Sequence, residues 1–203
     1  MRALLLLVVL TVSTPALANH PGELLDETMA AKEPAFEPAD RRPPAIELRT
    51  VDDLEFDLHD LEDKVVVLTF LPEGCGPPCA DQQALLVEVQ EAIEITPMRD
   101  MISFVTVASP DSPVAPSAND ANWLTVTPRD PEAVAEMSAE WAELSSRGGE
   151  EPMAYVLDRG ARQAGIFHGT SFAWVNMVLY INGLTNAHPP ESGLLDRIWD
   201  LFQ

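Results

Sequence analysis

Residues 68–79, with the sequence LTFLPEGCGPPC, are the stretch around which the rest of the chain is arranged. They continue a valine-rich apolar run that begins at residue 64, and a run of this kind predicts a strand buried on both faces. After them, apolar residues recur at three- and four-residue spacing, which predicts an amphipathic helix. The stretch is therefore predicted to join a strand to a helix through a short loop, and it contains the only two cysteines of the protein.

Cys75 and Cys79 are better explained by chemistry than by stability. A disulfide that closes so short a loop removes little entropy from the unfolded chain, well below the roughly 3 kcal/mol expected for a 15-residue loop. Pro78 suits the first position of the helix, so Cys79 is predicted to lie in its first turn, where free amides and the helix dipole lower the pKa of a thiol. Two neighbouring thiolates suit a soft ion such as Cu(I), and they also suit reversible disulfide exchange.

Composition and the N-terminal residues bear on partners and location. The 33 acidic and 12 basic residues give a net charge of −21, which would repel nucleic acids and anionic lipid surfaces. Residues 1–18 combine Arg2, an apolar segment and the small-residue site Ala16-Leu17-Ala18, as a signal peptide does. We therefore predict export to the periplasm or beyond, no membrane span after signal cleavage, and no nucleic-acid partner.

The remaining sequence predicts an arm followed by one domain. Residues 19–45 are rich in proline and acidic residues, which predicts a flexible or wrapping arm. Residues 46–203 alternate between strand and helix patterns, which favours an α/β sheet with helices on both faces. The predicted strands are 46–50, 54–58, 64–71, 101–108, 123–127, 153–158, 163–167 and 175–181; the predicted helices follow Cys79 and Asp130 and occupy 193–202.

Several of these segments together resemble the Sco/SenC family, which are thioredoxin-fold copper chaperones of cytochrome c oxidase assembly. The resemblance covers about residues 46–144, and the three-residue spacing between the cysteines is its most specific part. The matching segments are KVVVLTF at 64–70, the two cysteines, ISFVTV at 102–107, WLT at 123–125 and DPEAV at 130–134.

This resemblance implies a thioredoxin-like fold with a central mixed sheet, and it implies copper, as Cu(I) or Cu(II), as the bound ion. The family holds copper with both cysteines and a distal histidine, which would correspond here to Cys75, Cys79 and His168. Ala80 stands where the family has a proline. The expected client is a redox protein such as the subunit that carries the copper site of a respiratory oxidase.

Two other functions remain open. Pro152 stands just before a predicted strand, as does the cis-proline of thioredoxin-like oxidoreductases, and this resemblance implies a thiol–disulfide oxidoreductase. Cys75 would then attack the partner disulfide and Cys79 would resolve the intermediate. A non-catalytic binding module that keeps only the fold is the remaining alternative, and inert cysteines would support it.

Overall fold

The computed structural model describes residues 24–110, 112, 122–130, 132–149 and 151–187. Its strands are β1 (Phe36–Arg41), β2 (Leu48–Thr50), β3 (Glu55–Phe56), β4 (Val65–Leu71), β5 (Ile102–Ala108), β6 (Trp123–Pro128), β7 (Met153–Leu157) and β8 (Gln163–His168). Its helices are α1 (Leu25–Lys32), α2 (Pro77–Glu94), α3 (Ala133–Ala142) and α4 (Trp174–Asn186).

The strands form one mixed sheet in the order β1-β8-β7-β4-β5-β6-β2-β3. The strand β4 pairs in parallel with β5 and antiparallel with β7, and β7 pairs antiparallel with β8. All seven residues of β4 and of β5 are buried, as their largely apolar sequences predict. The strands predicted at 46–50 and 54–58 correspond to the antiparallel pair β2–β3, and those predicted at 153–158 and 163–167 correspond to the antiparallel pair β7–β8.

Helices cover both faces of the sheet because side chains alternate along each strand. On one face, Val65 and Val67 lie in a cluster with buried residues of α1, α2 and α4. On the other face, Val66 and Leu68 lie in a cluster with Trp141 of α3. The predicted α/β class, with a central mixed sheet and helices on both faces, is confirmed.

The strand predicted at 175–181 is wrong, because these residues belong to α4. Valine, tyrosine and isoleucine favour a strand locally, but the buried side chains recur at helical spacing, at Met177, Tyr180, Ile181 and Leu184. The predicted turn at Asn182-Gly183 lies inside the same helix. A Cβ on Gly183 would come within 2.7 Å of a methyl group of Leu25, so this glycine allows α1 to pack closely against α4.

Residues 19–45 are predicted to be a flexible or wrapping arm, and the flexible alternative is wrong for residues 25–41, which form α1 and β1. Phe36 is fully buried and packs against the rings of Phe167 and Tyr180, and β1 pairs antiparallel with β8. Pro38 is compatible with this strand because β1 is an edge strand, where a missing N–H need not interrupt a ladder on both sides. The sheet of the domain therefore begins before residue 46.

Other boundaries differ slightly or lie elsewhere. The helix predicted to begin after Asp130 begins at Ala133, and the carboxylate of Asp130 accepts a hydrogen bond from the amide of Glu132 at 3.2 Å. The predicted signal peptide at 1–18 and the predicted helix at 193–202 lie outside the described residues. Within the described ranges, no helix has both the length and the apolar character needed to cross a bilayer.

The close contact of β1 with β8 makes Gly165 sensitive to substitution. A Cβ on this residue would lie 2.4 Å from the ring of Phe36 and 3.2 Å from the hydroxyl of Tyr180. We expect Gly165→Ala to lower the free energy of unfolding by about 1–3 kcal/mol, as for other overpacked sites. Urea unfolding measures this loss.

The double variant Gly165→Ala/Phe36→Leu supplies the control for that prediction. Leucine at position 36 makes room for the new methyl group. The double variant should therefore lose less unfolding free energy than the two single variants lose together. Strict additivity would contradict the steric explanation.

Candidate redox and metal-binding site

The two cysteines lie at the carboxyl end of β4, in the loop that leads into α2. Gly74 and Gly76 have φ values of 76° and 65°, a left-handed conformation that glycine adopts without strain, and Gly76 is the N-cap of the helix. Cys79 is the third residue of α2. The prediction that it lies in the first turn is therefore confirmed, although the helix begins one residue earlier than expected.

Two prolines change the electrostatics of this helix start. Pro77 and Pro78 occupy the first two helical positions, and neither carries an N–H group. The predicted stabilisation of a thiolate by several free amides is therefore reduced to the amide of Cys79 and the helix dipole. The prolines fix the backbone of this turn instead, which keeps Cys79 in a defined position relative to β4.

The two sulfur atoms are joined in a disulfide, but their surroundings differ. The Cα atoms of Cys75 and Cys79 are 5.8 Å apart. Cys79 is buried, with 3% exposure, in a small cluster with Leu71 and Ala108 at the ends of β4 and β5. Cys75 is only partly buried. A reacting molecule can therefore reach Cys75 from solvent, whereas Cys79 is shielded by the fold.

Buried glutamines on α2 connect the cysteine loop to the sheet. Gln82 Nε2 donates to the carbonyl oxygen of Gly169 at 3.1 Å, and Gln83 Nε2 donates to Thr69 Oγ1 at 3.2 Å. Both side chains are 1% exposed. The sequence analysis missed these residues. The signal was present, since Gln83 follows Cys79 by four positions and so lies on the same helix face.

The structure does not bring His168 to the cysteines. This residue ends β8, and its Nε2 lies 2.9 Å from Glu37 Oε2. The same carboxylate contacts Ser145 and Ser146, which follow α3 on the opposite face of the sheet from α2. Among the described residues, no group of three or more His, Cys, Asp or Glu side chains is placed to hold a metal ion.

Glu37 forms a buried hydrogen bond with His168 that was not predicted from the sequence. Its carboxylate accepts hydrogen bonds from the Ser146 amide at 2.8 Å and from the hydroxyls of Ser145 and Ser146 at 2.7 and 2.9 Å. Burial acts to raise the pKa of Glu37, but these bonds and the one to His168 outweigh it and lower the pKa to about 2. An ionised carboxylate can only accept, so His168 Nε2 carries the proton of their bond.

Arg147 lies beside the Glu37 carboxylate and donates hydrogen bonds to the backbone at the start of β1. Its guanidinium nitrogens donate to the carbonyl oxygens of Pro34 and Phe36, each at 2.6 Å, and its Nε lies 3.9 Å from Glu37 Oε2. The Glu37–His168 pair therefore joins β1, β8 and the segment after α3. In the disulfide form described here, His168 has a structural partner.

Pro152 does not reproduce the cis-proline of thioredoxin-like oxidoreductases. The described residues contain no cis peptide bond, so the bond from Glu151 to Pro152 is trans. The carbonyl oxygen of Pro152 accepts a hydrogen bond from Gly169 at 2.8 Å. The cis-proline that the resemblance implies at Pro152 is therefore wrong. The cysteine pair and the fold are still shared with thioredoxin-like oxidoreductases.

These features define a class of protein, namely one with a thioredoxin-like fold and a disulfide where its central strand leads into the following helix. No protein-family model matches the chain, and comparison with curated proteins also gives no match. Similarity appears among solved structures, at low sequence identity.

Three Sco-type structures illustrate this similarity. BsSco, a member of the Sco family of cytochrome c oxidase assembly proteins, has a TM-score of 0.57 at 10% identity, covering 75% of this chain and 98% of its own. A SCO1/SenC family lipoprotein from Bacillus anthracis has a TM-score of 0.56 at 16% identity, covering 73% and 97%. ScoI of Bradyrhizobium japonicum with copper bound has a TM-score of 0.52 at 14% identity, covering 70% and 99%.

These similarities establish the fold of the chain. The predicted resemblance to Sco/SenC proteins is confirmed at this level, because such structures cover 70–75% of this chain. A thiol:disulfide interchange protein of the thioredoxin family from Chlorobium tepidum aligns as well, with a TM-score of 0.50 at 18% identity, covering 73% of this chain and 99% of its own.

Proposed function

We propose that this protein is an exported Sco/SenC-type protein in which Cys75 and Cys79 cycle between a disulfide and a dithiol. The observation that carries the proposal is the disulfide at the start of α2, with Cys75 partly exposed and Cys79 buried. A disulfide that closes so short a loop contributes little to stability, which favours a chemical role. A disulfide switch is described for BsSco, which has the same fold.

The difference in exposure assigns a role to each sulfur in thiol–disulfide exchange. In the reduced protein, the Cys75 thiolate attacks one sulfur of a client disulfide, forming a mixed disulfide and releasing one client thiolate. Cys79 then loses its proton and attacks the sulfur of Cys75. The Cys75–Cys79 disulfide forms again, and the second client thiolate is released. The two electrons pass to the client, which ends as a dithiol.

Copper is the cargo that we propose for the dithiol form. Two thiolates held by one short loop match the preference of Cu(I) for soft sulfur ligands. The Sco-type protein ScoI has been solved with copper bound. His168 is the third ligand that the family resemblance implies. To act as a ligand through Nε2 it must leave Glu37, so the two sulfurs carry this proposal and His168 is tested separately.

The client follows from the same reasoning. A protein that both reduces thiols and carries copper would serve a client whose copper site contains cysteines, such as the copper-binding subunit of a respiratory oxidase. Reduction of the client thiols and delivery of copper then use the same two cysteines in sequence. Export follows from the predicted signal peptide at 1–18.

A competition titration with Cu(I) on the reduced protein lacking residues 1–18 tests this function. We expect tight binding of one ion per chain, and we expect Cys75→Ser to abolish it because one sulfur remains. His168→Ala is the companion variant. Weaker binding in this variant assigns His168 as a ligand, and unchanged binding leaves copper on the sulfurs alone.

The opposite results separate the alternatives. Negligible copper binding by the reduced protein would overturn the copper proposal and leave a thiol–disulfide oxidoreductase, provided that glutathione buffers reduce and reoxidise the pair. A pair that neither binds copper nor exchanges with glutathione would indicate a binding module that keeps only the fold.

A further inference from the structure

The side-chain amide oxygen of Gln83 is buried and has no hydrogen-bond partner among the described residues. The side chain is 1% exposed, and its Nε2 donates to Thr69 Oγ1 at 3.2 Å. Within the part of the chain that the structure describes, its Oε1 has no hydrogen-bond donor. A buried acceptor without a donor costs free energy, since it has lost its bonds to water and gained nothing in return.

A short hydrogen-bonded chain connects this amide to the sheet. Trp123 Nε1 can only donate, and it donates to Thr106 Oγ1 at 2.9 Å. The hydroxyl oxygens of Thr106 and Thr69 lie 3.4 Å apart, and Thr69 receives the bond from Gln83. The two threonines face each other across the parallel β4–β5 pair. In this arrangement the amide nitrogen bonds to a hydroxyl of the sheet, and the amide oxygen is the end without a partner.

Cys79 lies one helical turn before Gln83 in α2. Residues four apart lie one above the other on a helix face, and both Cys79 and Gln83 are buried against the sheet. Cys79 packs on Leu71, and Gln83 bonds to Thr69, two residues earlier on the same face of β4. The helix turn and the strand repeat thus place Gln83 one turn after Cys79 on the face of α2 that packs on β4.

The oxidation state of the cysteines decides whether Cys79 can serve as the missing donor. In the disulfide, Cys79 Sγ is bonded to Cys75 and carries no hydrogen. Reduction takes up two electrons and two protons, breaks the S–S bond and leaves an S–H group on each cysteine. A thiol is a weak donor, and Gln83 Oε1 is a buried acceptor with its lone pairs unused.

We propose that Gln83 is a positioning residue of the redox pair, whose Oε1 accepts a hydrogen bond from the Cys79 thiol in the reduced protein. The inference rests on the proposed redox function of the two cysteines and names how their equilibrium is set. The bond exists only in the dithiol, so it favours the dithiol over the disulfide.

The reduction potential in glutathione buffers tests this role. Two glutathione thiols supply the two electrons and become one glutathione disulfide, while the Cys75–Cys79 disulfide becomes a dithiol. We expect Gln83→Met to shift this equilibrium toward the disulfide by about fivefold, which is a fall of about 20 mV for a two-electron couple. Alkylation of free thiols followed by mass spectrometry measures the reduced fraction.

Gln90→Met is the matched control. Gln90 is also a 1% exposed glutamine of α2, and its Nε2 bonds to Asn122 at 3.1 Å, three turns beyond Cys79. Its replacement removes a comparable buried amide far from the sulfur, so we expect an unchanged potential. Equal potentials in the two variants would overturn the role of Gln83.

A second measurement needs neither reversible exchange nor copper. In Cys75→Ser, the thiol of Cys79 is the single S–H group of the protein. Its infrared S–H band should lie at the lower wavenumber of a hydrogen-bonded thiol, and Gln83→Met in the same background should raise it. A band at the free-thiol position with Gln83 intact would overturn the inference, even if Gln83→Met did not fold. A pair that glutathione cannot reduce would instead overturn the proposed function.

Discussion

Cys79→Ser is expected to accumulate a stable mixed disulfide, while Cys75→Ser is expected to react slowly. Cys75 is partly exposed, so in Cys79→Ser its thiolate can attack a small aromatic disulfide, and no second thiol is present to release the product. In Cys75→Ser the remaining thiol is 3% exposed against Leu71 and Ala108 and must wait for local opening. We expect its reaction to be at least about tenfold slower.

Stopped-flow absorbance of the released aromatic thiol measures both rates, and mass spectrometry identifies the trapped adduct. Unfolding both variants in urea provides the control, since two exposed thiols should react at similar rates. Equal rates in the folded variants would contradict the assignment of Cys75 as the attacking sulfur. A faster reaction of Cys79 would reverse the two roles.

The centre of the fold could be predicted from the sequence because its patterns have one physical solution. The apolar runs of β4 and β5 are too continuous for strands with a solvent-exposed face, so both had to lie in the middle of the sheet. Helical spacing after Cys79 and the proline at the helix start placed α2 within one residue of its observed beginning. Local pattern and tertiary structure agree at these elements.

The errors occurred where local composition and tertiary packing disagree. In α4, the β-branched residues favour a strand, but the buried stripe that begins at Met177 makes them a helix on the same core as α2. In β1, proline and acidic residues indicate a flexible arm, yet Phe36 fills a pocket between Phe167 and Tyr180. A single phenylalanine among polar residues gives no periodic signal, so its effect becomes visible only in the structure.

The candidate site also combines residues that the sequence predicts with residues that only the structure reveals. Spacing alone identified Cys75 and Cys79, because two cysteines so close together in a strand–loop–helix unit favour redox or metal chemistry over stabilisation. The four-residue spacing predicts that Gln83 shares a helix face with Cys79, but its bond to Thr69 depends on how α2 packs on β4 and becomes visible only in the structure. The partner of His168 could not be predicted either, because Glu37 is 131 residues away in the sequence and is brought close to His168 only by the β1–β8 pair.

Glu37→Gln is expected to destabilise the protein at neutral pH by about 3 kcal/mol. The carboxylate is 5% exposed and accepts bonds from Ser145, Ser146 and His168, with Arg147 nearby. These contacts lower its pKa from 4.5 to about 2. Each unit of pKa difference between the folded and unfolded states is worth about 1.4 kcal/mol, which gives this figure.

The sign of the shift fixes the pH range in which this contribution disappears. Because the folded pKa lies below the unfolded pKa, the stabilisation is complete above about pH 4.5 and is lost as the pH falls toward about 2. The difference in unfolding free energy between the wild type and Glu37→Gln should therefore be constant from pH 7 to pH 5. Below pH 4.5 it should shrink, as measured by urea unfolding.

An exposed acidic residue supplies the comparison for this pH profile. Glu88→Gln changes the same functional group on the solvent-exposed face of α2, and it should alter the unfolding free energy little at any pH. A deficit of Glu37→Gln that is equally large at pH 7 and pH 3 would show that the amide disturbs packing. The ionised carboxylate of Glu37 would then not be what holds β1 to β8.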